Sequence, residues 1–286
     1  MKKKINAFDV FNTIFFVLLT LICFYPLWYV LVTSFATSAG YYADAYHIVP
    51  KSFTLDNFGY ILSEKTVFRA FWVSLRTTVI GTIASVFTTA VAGFCFSKSD
   101  LPGVNALYKL ALFTMYFTGG MVPNYLLVST LNLKNTIASL ILPGLIGTFN
   151  MVLARNYFLS IPESLEEAAK IDGASEFTIF LRVIVPLSKP ILATLVLFYV
   201  VEYWNAYMNA LLYMTDSKMF TLPVVLKNLL ENAKKDNMEQ VMASMSSFRE
   251  GMNMATVLLS MLPILVIYPF LQRYFVKGIM IGAVKG

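Results

Sequence analysis

The sequence contains little charge. Only 13% of its 286 residues are Asp, Glu, Lys or Arg, whereas 58% are hydrophobic. Soluble globular domains carry about 25% charged residues, because their surfaces must be solvated. The composition therefore excludes an ordinary soluble domain and predicts a polytopic membrane protein.

Histidine and cysteine are scarce, and the glycine-lysine pair of a nucleotide-binding loop is missing. His47 is the only histidine, and Cys23 and Cys95 fall in apolar segments, so the sequence predicts neither a metal site nor a disulfide framework. A single histidine without paired acids also disfavours an intramembrane enzyme. Because no glycine is followed by lysine, the chain lacks a P-loop for ATP.

The net charge of +6 raises the question of nucleic-acid binding. The basic residues are scattered between apolar segments rather than gathered on one face, which disfavours that function. They are more numerous on the side that would carry both termini and the loop between the fourth and fifth apolar segments, as is typical of the cytoplasmic side of a membrane protein. We therefore predict a multi-pass protein of the cell membrane with both termini in the cytoplasm.

Six apolar segments are long enough to cross a bilayer as helices. They cover residues 10–35, 70–96, 107–131, 136–158, 191–214 and 254–275. The predicted fold is all-α, with six transmembrane helices. Residues 1–69 form an N-terminal part with the first helix and an external loop, and residues 70–286 form the core.

Three features of these segments are unusual. The first segment follows three lysines as a signal peptide would, but its length of about 26 residues favours an uncleaved span. The third contains Gly119-Gly120, and the fourth contains Pro143-Gly144. Such breaks are tolerated at membrane depth where the backbone is buried in protein or faces water, so they indicate either a transport pathway or an ordinary kink.

Residues 160–190 are charged although they lie between two apolar segments, so they must face water or a partner protein. Ser160 and Glu163 have the spacing of a capping box at the start of a first helix. Gly173 supplies the backbone freedom that ends this helix, and Ser175 can cap a second one. The pattern predicts two short helices with a bend between them.

The same segment carries an extended motif. Its members are Glu167-Ala168-Ala169, Asp172-Gly173-Ala174, Phe177, Phe180, Ile184, Pro186 and Pro190. The motif resembles the EAA loop of binding-protein-dependent ABC importer permeases, in the form found in the carbohydrate-uptake group. Residues 50–58 and the C-terminal tail, residues 271–286, are also similar to elements of sugar permeases.

The resemblance implies that the six transmembrane helices are arranged as in a type I ABC importer permease. In that family the loop is a cytoplasmic coupling helix that inserts into a groove on an ATPase subunit. The resemblance implies a polar contact from Glu167, close approach at Ala168 and Ala169, and a turn at Gly173, with Asp172 and Ala174 beside it. The alternative is an amphipathic hairpin at the membrane surface.

Residues 160–190 are called the hairpin. For three of its charged residues, exposure to solvent is the simpler interpretation. These are Glu163, Glu166 and Lys170.

The resemblance also implies a set of partners. They are a homologous second permease, an ABC ATPase dimer, an extracytoplasmic solute-binding protein and the lipid bilayer. ATP and Mg²⁺ would be held by the ATPase subunits, and this chain would bind no cofactor of its own.

The fifth apolar segment contains candidate substrate contacts. Glu202, Asn205 and Asn209 are three and four residues apart, which predicts one shared helix face. Intramembrane carboxylates and amides commonly face a cavity, and with Trp204 they suit hydrogen bonding to a sugar and stacking on it. Polar contact between helices is the alternative. Arg76, in the second segment, would suit an acidic sugar.

The sequence therefore predicts a permease subunit of an ATP-driven ABC importer for an oligosaccharide. A secondary, ion-coupled transporter of a small polar solute is the alternative. Such transporters commonly have more spans or an inverted repeat.

Overall fold

The described part of the protein consists mainly of helices. The computed structural model describes residues 6–43, 46–49, 51–235 and 248–283. Within these ranges the extended backbone is limited to loops and one isolated antiparallel bridge between Ala36 and Phe53. The predicted all-α class is confirmed.

Three helices are long and apolar enough to cross a membrane. They are α1, Ala7–Ser34; α4, Lys65–Ser97; and α15, Arg249–Ala283. In α1 the most apolar window has no buried residues within this chain, so lipid or another subunit must cover it.

The remaining helices are shorter. They are α2, Ser38–Tyr42; α3, Asp56–Ser63; α5, Val104–Tyr116; α6, Met121–Thr130; α7, Ile137–Ile141; α8, Thr148–Phe158; α9, Glu163–Ile171; α10, Glu176–Ile179; α11, Val185–Leu187; α12, Lys189–Trp204; α13, Met208–Tyr213; and α14, Leu222–Lys235.

Two helix pairs form bent spans. Ile137–Gly144 and α8 meet at 53°, with Pro143 and Gly144 in a 3-10 turn at the break. Glu176–Leu187 and α12 meet at 85°. The described residues thus contain three continuous candidate spans, or five if each bent pair crosses once.

The predicted third span, residues 107–131, consists of two helices. α5 has 13 residues and α6 has 10, and each is shorter than the roughly 20 residues that a crossing helix needs. The break contains Gly119 and Gly120, and Gly120 has a φ of 85°, which an L-residue rarely adopts. The count of six crossings therefore remains a prediction.

Two compact units divide the chain. One contains Met1–Phe68 and Leu226–Pro263, and the other contains Arg69–Val225 and Ile264–Gly286. The second unit begins beside the boundary predicted at residue 70, but residues 226–263 group with the first. The predicted domain division itself stays a prediction.

In the first unit, Asn57 ties the segment after α1 to α3. Its side-chain amide donates to the carbonyl oxygens of Ser34 at 2.9 Å and Ala36 at 3.0 Å. The backbone N–H of Thr54 donates to the carbonyl of Phe35 at 2.8 Å. Since the carbonyls at the end of a helix lack intrahelical partners, these bonds hold the chain where it leaves α1. Part of the sugar-permease element in residues 50–58 thus has a structural role.

In the second unit, small residues let α4 pack closely. Gly81, Ser85, Thr89 and Gly93 recur every fourth residue and so lie on one helix face. A Cβ added to Gly81 would lie 2.8 Å from the ring of Tyr203, and one added to Gly93 would lie 2.8 Å from the Cβ of Ala154. Small residues are the usual means of close helix contact in membranes.

Two tyrosines of α12 hold the broken α7–α8 span. The backbone N–H of Gly147 donates to the Tyr199 hydroxyl at 3.0 Å, and the Tyr203 hydroxyl donates to the carbonyl of Ile141 at 3.4 Å. These backbone groups lie at the break, where intrahelical partners are missing, and an unsatisfied polar group in hydrocarbon costs several kcal/mol. Tyr199 and Tyr203 therefore make the break tolerable.

Candidate functional site

Residues 160–190 form the hairpin, and its first arm is α9. It begins at Glu163 with Pro162 at the N-cap, and no side chain caps it. The predicted capping box is wrong, because the Ser160 hydroxyl donates to the carbonyl of Tyr157 at 2.6 Å and so closes the end of α8 instead. Glu163 and Glu166 lie in the first turn, where negative charge is favourable.

Gly173 ends α9 in a left-handed turn. Its φ is 78°, and its N–H donates to the carbonyl of Lys170 at 3.0 Å. The N–H of Ala174 donates to the carbonyl of Ala169 at 2.9 Å. These two bonds form a Schellman motif, which satisfies the last carbonyls of the helix. The predicted turn is confirmed as local structure.

The second arm starts as a capped α-helix, α10, and continues as a π-helix. The Ser175 hydroxyl accepts from the N–H of Thr178 at 3.3 Å, which confirms the predicted cap. Phe180–Ile184 forms a π-helical segment, and Lys189 begins α12 after the 85° bend. π-helical turns are uncommon and frequent at functional sites.

The bend presents apolar side chains on its surface. Ile171 is 86% exposed and Phe177 is 62% exposed, on either side of Gly173, and Leu165 is also exposed. Of the six residues predicted to couple to the ATPase, four are exposed, and Ala169 and Ala174 are partly buried. The exposed four are Glu167, Ala168, Asp172 and Gly173. A Cβ at Gly173 would meet nothing within 4 Å in this chain.

The predicted solvated face is wrong for Glu166. Its carboxylate is paired with the ammonium of Lys98, and the two side chains are only 13% and 17% exposed. Glu163 is exposed as expected. The Nζ atom of Lys170 donates to the Oε1 atom of Glu176 across the bend at 2.9 Å, and both side chains are about half exposed. This hydrogen bond raises the pKa of Lys170.

Three of the five candidate substrate residues, Glu202, Asn205 and Asn209, line a cavity of about 170 Å³. Its lining residues are Leu140, Gly144, Glu202, Tyr203, Asn205, Ala206, Tyr207, Met208 and Asn209. Residues that carry one carboxylate and two amides therefore line one space.

The helix that carries these residues is broken, contrary to the prediction of one continuous face. α12 ends at Trp204 and α13 begins at Met208. The N–H of Tyr207 donates to the carbonyl of Asn205 at 2.7 Å, a tight turn that replaces the helical hydrogen bonds. The broken backbone brings Asn205 and Asn209 to the cavity by a different route from the predicted helix face.

Gly144 forms part of the wall of the cavity. A Cβ added there would lie 3.4 Å from the Oε1 atom of Glu202, so a larger residue would reduce the space. The Pro143-Gly144 break in the sequence was the available signal for this wall. The contribution of Leu140 has no such signal, because it is one apolar residue among many.

Two other candidates lie elsewhere in the second unit. Trp204 is buried, and its ring packs edge-to-face on Phe71 with centroids 6.0 Å apart. Arg76 is exposed on α4. Neither is among the residues that line the cavity.

The described residues contain no group of three or more His, Cys, Asp or Glu that is able to hold a metal ion. Glu202 makes no ion pair within the described part of the chain. The cavity thus offers hydrogen-bond acceptors and donors rather than a metal centre.

Comparisons with known proteins identify the family. Residues 6–281 match the family described as "Binding-protein-dependent transport system inner membrane component". The chain is 41% identical over 289 residues to Protein LplC of Bacillus subtilis (strain 168), with 99% of this chain and 97% of that protein covered. It is 38% identical over 285 residues to the polygalacturonan/rhamnogalacturonan transport system permease protein YtcP of the same organism, with 99% and 100% covered.

A solved structure agrees with these relatives. The chain resembles a subunit in the crystal structure of a bacterial ABC transporter involved in the import of the acidic polysaccharide alginate, with a TM-score of 0.89 and 28% identity. The match covers 96% of this chain and 99% of that one. The chain therefore belongs to the inner-membrane permeases of binding-protein-dependent ABC transporters, in which the ATPase is a separate subunit.

Proposed function

We propose that this chain forms half of the translocation pathway of an ABC importer for an oligosaccharide. A homologous second permease forms the other half, and a dimer of ATPase subunits holds ATP and Mg²⁺. A solute-binding protein outside the cell delivers the sugar. Membership in a binding-protein-dependent family supports these partners and disfavours the ion-coupled alternative.

An oligosaccharide suits both the relatives and the cavity. YtcP is named for polygalacturonan and rhamnogalacturonan, and the similar structure imports alginate. The amides of Asn205 and Asn209 and the carboxylate of Glu202 can hydrogen-bond sugar hydroxyls. These residues are proposed to contact the sugar as it passes, whereas Trp204 supports them by its packing.

The hairpin is proposed to be the contact with the ATPase, in the cytoplasm with both termini. The observation that carries this is the exposure of Ile171 and Phe177 on either side of Gly173, in a turn whose backbone is fixed by two hydrogen bonds. Exposed apolar side chains on a rigid turn are typical of a protein interface. Glu167 and Asp172 add polar contacts, and Ala168 permits close approach.

In this function ATP binding closes the ATPase dimer and moves the two docked hairpins. The membrane helices then change between inward-open and outward-open packings. ATP bound to the ATPase shifts this equilibrium from the cytoplasmic side, and the loaded binding protein shifts it from the external side. Both must bind one packing better than the other for transport to be directional.

Replacement of Gly173 tests the docking role. Gly173→Val forces a β-branched residue to a φ of 78°, at a strain of about 1–3 kcal/mol, so the turn is expected to change shape. Uptake and ATPase retention during purification should both be lost, while the amount of permease in the membrane stays normal. Gly173→Asn should keep uptake, because asparagine tolerates this conformation.

Gly103→Val is the matched control. Gly103 has a φ of 83° and, like Gly173, would meet nothing within 4 Å after addition of a Cβ. It carries the same backbone strain outside the hairpin, so the ATPase should stay bound. Normal uptake in Gly173→Val, or equal loss of ATPase in both variants, would contradict the docking role.

A further inference from the structure

A shielded ion pair joins the hairpin to the end of α4. The ammonium of Lys98, directly after α4, contacts the carboxylate of Glu166 on α9, and both side chains are less than one-fifth exposed. The other two ion pairs among the described residues, Lys170–Glu176 and Lys227–Glu231, are about half exposed. Exposed pairs contribute little, whereas removal of one partner from a shielded pair is strongly unfavourable.

The surroundings of Lys98 fix its position. Its ammonium lies 4.7 Å from the centroid of the Phe94 ring, a cation–π contact. Burial lowers the pKa of Lys98, whereas the nearby carboxylates of Glu176, Asp100 and Glu163 oppose this change. A lysine removed from water in this way depends on its carboxylate partner.

The same turn of α4 also holds the second arm of the hairpin. The Phe94 ring lies 5.3 Å from the ring of Phe180, the first residue of the π-helical segment, and both side chains are buried. Arg155 on α8 donates from Nε to the carbonyl of Phe96 at 2.8 Å. The end of α4 therefore contacts both arms and the helix that precedes them.

Farther along, α4 is bonded to the wall of the cavity. The Ser85 hydroxyl lies 2.7 Å from that of Tyr203, which lines the cavity, and the Thr89 hydroxyl lies 2.6 Å from that of Tyr199. α4 is a single helix from Lys65 to Ser97. A displacement of its end relative to the hairpin must therefore reach the contacts that border the cavity.

We propose that Lys98 and Glu166 form the link through which movement of the hairpin is transmitted to α4 and to the cavity. They are positioning residues, since neither touches the sugar. This inference rests on the docking role proposed above. Docking brings ATPase movement to the hairpin, and the link passes it into the membrane helices.

Charge reversal in the whole importer tests the link. The permease, its ATPase subunits and its binding protein are reconstituted in proteoliposomes with Lys98→Glu, with Glu166→Lys, or with both. Three quantities are measured: the ATPase subunit retained, the ATP hydrolysed in the presence of loaded binding protein, and the sugar taken up. The ratio of uptake to ATP hydrolysis is the readout that a merely structural role would leave unchanged.

Each single reversal should retain the ATPase but lower uptake per ATP about ten-fold, which corresponds to ~1.4 kcal/mol. The double reversal restores the opposite charges and should recover most of that ratio, and Lys98→Arg should keep it. Glu231→Lys is the matched control, because it makes the same charge change in a half-exposed ion pair on α14, outside the hairpin, and should leave the ratio unchanged.

Three results would overturn the link. They are a normal ratio in both single reversals, a double reversal as poor as the singles, and loss of the ATPase subunit from the single reversals, which would assign the pair to docking. Failure of the docking proposal is distinguishable, because it would show as normal uptake and a retained ATPase in Gly173→Val.

Discussion

The hydroxyl of Tyr203 on α12 and the hydroxyl of Ser85 on α4 lie 2.7 Å apart in the interior of the second unit. The same tyrosine donates to the carbonyl of Ile141 at the break before α8. One side chain therefore joins three elements, and it also borders the cavity. This geometry connects the stability of the helix packing to the shape of the cavity.

Tyr203→Phe should destabilise the protein by about 1 kcal/mol, because hydrogen bonds between membrane helices contribute roughly 0.6–1.7 kcal/mol. Unfolding of the purified permease in detergent measures this change. Tyr60→Phe, at an exposed tyrosine of α3, should leave the free energy of unfolding unchanged. An equally stable Tyr203→Phe protein would show that the bond to Ser85 adds no stability.

Gly81→Ala should destabilise the packing of α4 on α12. The added methyl would lie 2.8 Å from the Tyr203 ring, and overpacking of this kind costs about 1–3 kcal/mol. Gly59→Ala is the comparison, since a Cβ there meets nothing within 4 Å and alanine favours a helix by about 0.8–1.0 kcal/mol. Gly81→Ala should lower the stability measured by detergent unfolding and Gly59→Ala should raise it, and stabilisation by Gly81→Ala would refute the close contact at Gly81.

The turn chemistry of the hairpin was predictable because it is local. Gly173 and Ser175 act through hydrogen bonds to residues three positions away, so sequence alone indicated the turn and the cap. Ser160 shows the limit of that reasoning. Its hydroxyl lies between the end of α8 and the start of α9, and it donates to a carbonyl of α8 instead of capping α9.

Contacts between distant residues were not predictable. Lys98 and Glu166 are 68 positions apart, and nothing in the pattern of either segment indicates their pairing. The interruption at residues 205–207 was also missed, because apolar periodicity continues across it and only the backbone hydrogen bonds change. The polar residues at the cavity were nevertheless found, since a carboxylate and amides in an apolar segment are costly without a function or a partner.

Asn205→Ala and Asn209→Ala should each lower the rate of sugar uptake about five-fold, since a lost hydrogen bond of ~1 kcal/mol changes an equilibrium by that factor. The rate should be measured with saturating loaded binding protein, because affinity for free sugar belongs to that protein. Trp204→Phe should instead lower stability, because Trp204 packs on Phe71 outside the cavity. Unchanged uptake in both asparagine variants would favour a role in helix packing.

Arg76→Ala tests whether the imported sugar is acidic. Arg76 is exposed on α4, and a guanidinium is well suited to bidentate contact with a carboxylate. If it contacts uronic-acid groups on the pathway, uptake of uronic-acid oligosaccharides should fall more than uptake of neutral ones, and added salt should weaken the difference. Arg76→Lys should retain part of the preference, because it keeps the charge but loses the planar fork. Equal loss of both sugars in Arg76→Ala would exclude a charge-specific contact and assign Arg76 to helix packing or to the membrane surface.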